Sequence, residues 1–315
     1  MAGIPPNGPP NPYPRAQLSE TNKAGITDRC WNNLLNQFFL KHPHFSPGEW
    51  DPQGSPTNGK LDMIWKETLN VCHAIINPHP SNVHATEYRK YLQNMVAKAG
   101  QINNAVCLGL GELASSGRTE SRGVFVQQCG MFFALCEIIE NQQHIQLGSL
   151  PKAFQDPRFG VNERHVLETL GSQKIVWPPA ADQHIGHHTF VYAPRLPAST
   201  MFGTISKPGM SPEILFTVPL DSDTSGIGIV IGKHYIESVY RTGDPALDPE
   251  TTAMYDELTR FFNTHESVRF NGIYLDEEIL KEDIRLKVAI EDAFEIATFY
   301  VRKRPLSGSI WSTAN

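Results

Sequence analysis

Five cysteines in 315 residues, none of them in a CxxC pair, leave this chain without the spacing of a structural zinc site. Cys30, Cys72, Cys107, Cys129 and Cys136 are odd in number, and each lies in an apolar segment. That usage predicts buried free thiols in a reducing compartment, the cytoplasm or the nucleus. Also missing is the basic start and apolar core of a signal peptide. The longest strongly apolar run, Met131 to Ile139, is too short to cross a bilayer, so no membrane association is expected. Nor is there an excess of positive charge. The formal net charge of −6 gives no general pull toward DNA, and the trio Arg302-Lys303-Arg304 reads as a solvated helix end. No complete catalytic triad, metal set or phosphate loop can be found along the chain.

What is present is an ordinary globular composition, 40% apolar and 19% charged. The stretch Asn104 to Ser116 organises it. Ala105 to Leu108 is a continuous apolar run that stops at Gly109 and Gly111, as a buried parallel strand entering a tight turn would. A polar loop, Ser115 to Glu120, leads into an apolar helix expected from Val124 to Glu140, with Ser121 as a candidate N-cap. Gly109-Leu-Gly111 is followed by Ala114, so the dinucleotide fingerprint is incomplete.

Further elements follow in alternation. Helices are expected over Asp28–Leu40, Lys60–Ile76 and Ala85–Ala99, strands near Ile145–Ala153 and over Lys174–Trp177, and a helix over Asn162–Leu170 closed by Gly171. Strands at Thr189–Tyr192, Glu213–Val218 and Ile227–Ile231 come next, then a short helix around Lys233–Tyr240. A helix at Glu250–Asn263, a strand near Val268–Tyr274 and a long helix from Asp276 to Arg302 end the chain. This pattern predicts an α/β fold: a Rossmann-like, mostly parallel doubly wound sheet with an N-terminal helical cap and a long C-terminal helix. The expected organisation is a disordered tail over 1–20, a helical extension over 21–100, the α/β domain over 101–303 and a second tail over 304–315.

Several residues could carry chemistry. Asp156, at the carboxyl end of the second strand, has the position of a ribose-binding acid, or is the turn residue before Pro157. Ser115, Ser116 and Arg118 precede a helix N-terminus and suit an anion, and a serine there is also a candidate nucleophile. Arg195, after the fourth strand, could grip a carboxylate or phosphate. Asp182, His184, His187 and His188 cluster in a loop, where the geometry that a metal needs is not fixed; no metal is expected. Glu291, Asp292 and Glu295 share a helix face at spacings of three and four and are the candidate catalytic acids, or a solvated face relieved by Lys287.

Cys107-Leu-Gly-Leu-Gly-Glu-Leu, Gln128, Asp156-Pro157-Arg158-Phe159, Val166-Leu167, Leu170-Gly171 and Phe190-Val191-Tyr192-Ala193-Pro194 together resemble the SRR1-like domain family, in its fungal type. The family commonly shows Pro-His-Cys after the fourth strand. Here Pro194, Arg195 and Leu196 stand in its place, so no haem or metal role carries over. The resemblance implies the fold, and the layout is similar to that of cyclodipeptide synthases. Three functions follow as expectations: aminoacyl group transfer in small-molecule or secondary metabolism, a non-enzymatic regulator of the SRR1 type, or an S-adenosylmethionine-dependent methyltransferase. The expected ligand is nucleotide-like or aminoacyl, with Gly109, Gly111, Ser115, Ser116, Arg118, Asp156 and Arg195 around it. The expected partner is a small molecule or an aminoacyl-tRNA.

Overall fold

A computed structural model describes residues 61–78, 83–111, 113, 119–156, 158–171, 174–176, 180–220, 232–233, 249–269 and 297–304. The helices are α1 (Leu61–Ile76), α2 (Val83–Lys98), α3 (Thr119–Gln142), α4 (Val161–Thr169), α5 (Ala198–Ile205) and α6 (Pro249–Thr264). The strands are β1 (Asn104–Leu108), β2 (Lys152–Gln155), β3 (Lys174–Val176), β4 (Thr189–Ala193), β5 (Ile214–Thr217), β6 (His265–Arg269) and β7 (Thr298–Arg302). A 3₁₀ helix, Ala180–His184, joins β3 to β4.

One seven-stranded sheet in the order β3-β2-β1-β4-β5-β7-β6 carries the molecule. β1 pairs in parallel with both β2 and β4, and the parallel set extends to β3 and β5. β7 runs antiparallel to both β5 and β6, so the sheet is mixed. The chain therefore leaves β1 toward β2 and β3, then returns to start β4 on β1's other side. The order reverses between β1 and β4, the place where open α/β sheets bind ligands at the carboxyl ends of their strands.

Successive strand residues point to opposite faces, and both faces are covered. Cys107, Phe154, Phe190, Tyr192, Phe216 and Phe299 meet α1, α2 and α3 on one side. Val106, Leu108, Val191, Leu215 and Tyr300 meet α5 and α6 on the other. Burial on both faces is why β1 and β4 read as unbroken apolar runs. α1 and α2 share one core with α3 and the sheet; Ile64, Thr68, Cys72 and Ile76, four apart, form α1's buried stripe. Cys72, Cys107, Cys129 and Cys136 are free and buried as expected. Burial pushes the Cys72 thiol up to about 12 and raises the other three as well.

Several boundaries differ from the sequence reading. Residues 298–302 form β7, where a helix was expected. Thr298, Phe299, Tyr300 and Val301 are β-branched or aromatic, and they pack on both faces of a sheet. Arg302 consequently ends a strand and pairs with Glu213 at 3.4 Å, so the basic trio is no helix end. β6 starts three residues before Val268, and β2 overlaps only the last two residues of its expected range and continues to Gln155, because Gly148 and Pro151 break what precedes it. α3 begins at Thr119, which puts Ser121 inside the helix. Its Gly123–Gln142 stretch is long and apolar enough to cross a membrane, contrary to the reading of the shorter run, and most of it is buried inside the fold. The elements expected at Asp28–Leu40 and Ile227–Ile231, and nearly all of Lys233–Tyr240, lie outside the described residues.

Candidate functional site

β1 delivers the chain to the carboxyl edge at Leu108, and the backbone then turns through Gly109 at φ 71° and Gly111 at φ 86°. Only glycine takes that conformation without strain, which explains both residues. Their surroundings differ. A Cβ on Gly109 would stand 2.6 Å from the Leu196 side chain, whereas one on Gly111 would meet nothing within 4 Å among the described residues. Leu196 therefore fills the space over the first glycine. Leu196, which follows Pro194 and Arg195 after β4, thus has a packing role here.

Asp156 follows β2 and is 5% exposed. Its Oδ2 accepts a hydrogen bond from Gly111 N at 2.8 Å, and its Oδ1 accepts one from Arg158 N at 2.8 Å. The carboxylate pins the glycine turn to the β2–α4 connection. The expected turn role is present, and the same bonds hold the acid beside β1 at the order reversal. Beside it stands Glu163, also 5% exposed, which the sequence reading passed over. Glu163 Oε1 accepts from Leu113 N at 2.6 Å, and Oε2 accepts from Gly160 N at 2.7 Å. The second bond is half of a helix capping box, and the spacing Gly160-x-x-Glu163 was the signal available in the sequence. Burial raises the Glu163 pKa above its usual range, an effect opposed by the backbone N–H groups and reinforced by Asp156.

Gln155 completes this edge. It is fully buried; its Oε1 accepts from Ala181 N at 2.7 Å, and its backbone oxygen accepts from Gly109 N at 3.0 Å. Its Nε2 finds no acceptor among the described residues. Tyr192 Oη, on β4, likewise finds no partner there, and burial raises its pKa well above 10, so the phenol stays protonated. Arg195 sits just past β4 and is exposed. Ser115, Ser116 and Arg118, and the acids Glu291, Asp292 and Glu295, lie outside the described residues.

The histidine cluster belongs to the other end of the sheet. The His184 carbonyl accepts from Asn104 Nδ2 at 2.6 Å, His187 Nδ1 accepts from Arg302 at 2.9 Å, and His188 Nδ1 faces the Gln101 carbonyl at 3.0 Å. Asp182 lies 3.8 Å from Lys207 Nζ. Among the described residues no three His, Cys, Asp or Glu side chains converge as metal ligands. An open groove of about 570 Å³ lies at this amino edge, lined by Gly100, Gln101, Gln142, Gln143 and Arg304 among others.

The family model of the SRR1 domain matches residues 85–297, about two thirds of the chain. No curated protein matches it.

Proposed function

The chain belongs to the SRR1 domain family, and from that premise we propose that it is a Rossmann-like group-transfer enzyme whose donor carries an adenosine bound at the β1/β4 order reversal. One observation carries the reading: Asp156 is held at the carboxyl end of β2 with each oxygen already accepting one backbone N–H. An acid at the carboxyl end of the second strand has the position from which nucleotide folds bind a ribose hydroxyl, and a carboxylate oxygen can accept more than one hydrogen bond. Fixed in this way, the acid is pre-organised and loses little entropy on binding.

Aminoacyl transfer from a charged tRNA, as in cyclodipeptide synthases, is the first form of the proposal, with Glu291, Asp292 and Glu295 as its acids. Methyl transfer from S-adenosylmethionine has an observation of its own. A parallel sheet completed by one reversed strand between its fifth and sixth members is the plan of many methyltransferases, an analogy of fold and not of chemistry. Four buried free thiols fit work in a reducing compartment.

Calorimetry on the full chain with adenosine and 2′,3′-dideoxyadenosine tests the ribose contact. Two hydrogen bonds to a carboxylate are each worth about 1.5–3 kcal/mol, so the dideoxy compound should bind at least tenfold more weakly. Asp156→Asn should show the same loss for adenosine. Equal binding of the two nucleosides, or none of either, refutes the reading. Incubation with charged tRNAs, or with S-adenosylmethionine and a panel of acceptors, then separates the two transfers. Binding without any product marks an SRR1-type regulator.

A further inference from the structure

Arg302-Lys303-Arg304 closes β7, and β7 runs antiparallel to β5 with Val301 opposite Ile214. The trio therefore stands at the amino edge of the parallel strands, away from the glycine turn. Its charges are engaged unequally. Arg302 is half-buried and faces Glu213 at 3.4 Å. Lys303 and Arg304 are exposed, and neither forms an ion pair with a carboxylate among the described residues. Lys303 Nζ donates to the Asn263 carbonyl oxygen at 3.0 Å, a bond at the surface.

Arg304 is also part of the wall of the groove of about 570 Å³ at this edge. Gly100 and Gln101 after α2, and Gln142 and Gln143 at the end of α3, form much of the rest. Among the described residues no carboxylate lines it, and Arg304 supplies its one full charge. Lys98 stands between the wall residues Ala97 and Ala99 and pairs with Glu266 at 2.8 Å, where the two side chains are 45% and 43% exposed. So exposed a pair contributes little, and a phosphate can compete for its cation. Lys98, Lys303 and Arg304 thus gather positive charge on a chain whose formal net charge is −6. Negative charge elsewhere repels a polyanion, so a local patch of this kind decides where one docks. Neutral amides beside the cations suit the 2′-hydroxyls that RNA presents next to its phosphates.

We propose that this groove docks the phosphate backbone of a tRNA, with Lys98, Lys303 and Arg304 as the phosphate contacts. This rests on the aminoacyl form of the reading above and deepens it, because it names the surface that holds the body of the donor. β4, near the centre of the sheet, is five residues long. The two edges are therefore about 17 Å apart. A tRNA is much larger than that, so one molecule can lie against the amino edge and still bring its 3′ end to Asp156.

Fluorescence anisotropy with labelled, uncharged tRNA and the full chain tests this over a range of potassium chloride concentrations. Three phosphate contacts give a slope of about −2 to −3 in log affinity against log salt, so binding should weaken at least tenfold between about 50 and 200 mM. Lys98→Glu, Lys303→Glu and Arg304→Glu should each lower affinity at least threefold at low salt, and the triple variant should flatten the slope by about 2. Lys66→Glu, at an exposed position of α1, changes the net charge as much as each single variant and should leave tRNA affinity within twofold. Adenosine affinity should be the same in the triple variant as in the unaltered chain; if the triple variant fails to fold, the three single variants, all at exposed positions, decide. Absence of tRNA binding, or binding that none of the charge reversals weakens, overturns the inference. Equal affinity for a DNA duplex or for polyglutamate overturns the assignment to tRNA. Adenosine binding without tRNA binding leaves the nucleoside reading standing and makes S-adenosylmethionine the donor.

Discussion

Gly109 and Gly111 share a left-handed backbone yet have unequal tolerance of a side chain. At Gly111, alanine meets no described residue within 4 Å and incurs the backbone strain, about 1–2 kcal/mol. At Gly109 the same strain is joined by a Cβ 2.6 Å from Leu196, and overpacking of that kind adds about 1–3 kcal/mol. Gly109→Ala should therefore lower stability clearly more than Gly111→Ala in denaturant unfolding. Gly109→Ala/Leu196→Ala should recover part of the difference, and equal losses for the two single variants would mean that Leu196 does not pack on the turn. Glu163 and Asp156 teach a related point about legibility. Asp156 could be singled out because its place in a βα alternation is diagnostic. Glu163 looked like one more polar residue on an amphipathic helix, since the partner it holds, Leu113, is 50 residues away. Long-range backbone donors leave no trace in local spacing.

Among the elements, the joint between α6 and β6 is built around His265, which is 3% exposed and stacked on Phe261 with centroids 4.1 Å apart. Its ring nitrogens lie 2.8 Å from the Phe261 and Pro212 carbonyl oxygens, and the neutral ring donates its single N–H to one of the two. Burial lowers its pKa to about 4 against the opposing pull of the Pro212 and Phe261 carbonyls, and nearby Arg302 and Lys303 add to the lowering. The folded state thus binds fewer protons than the unfolded state below the ordinary histidine value. Stability contributed by the neutral ring is present above pH 6.5 and is lost as pH falls toward 4. His265→Gln should flatten the fall in unfolding free energy over that window, measured by denaturant titration at several pH values. Unchanged pH dependence would mean that the ring is protonated throughout. At this scale the parallel strands were readable because double burial makes them uniformly apolar. β7 was not, because the apolar and acidic positions before it keep a helical spacing and nothing local marks where a strand begins. Its identity comes from pairing with β5 and β6, which are brought beside it only by the fold.

For the molecule as a whole, protection should follow the sheet's order. β1 and β4 lie at its centre with fully buried residues on both faces, while β3 and β6 are the outer strands. Hydrogen exchange should leave the amides of Val106, Cys107, Val191 and Tyr192 among the last to open, at a rate set by global unfolding, and those of β6 among the earlier. Similar exchange at centre and edge would show that the sheet opens as one unit. The position of β7 has a further consequence for how such a chain is made. β5 and β6 are synthesised well before residues 298–302, yet they meet only through them. Until the ribosome has released that segment, two strands with unpaired edges wait for a partner, and exposed edges invite pairing with another chain. The fold closes by inserting β7 into a gap already flanked on both sides, so the sheet cannot be completed before residues 298–302 have been made.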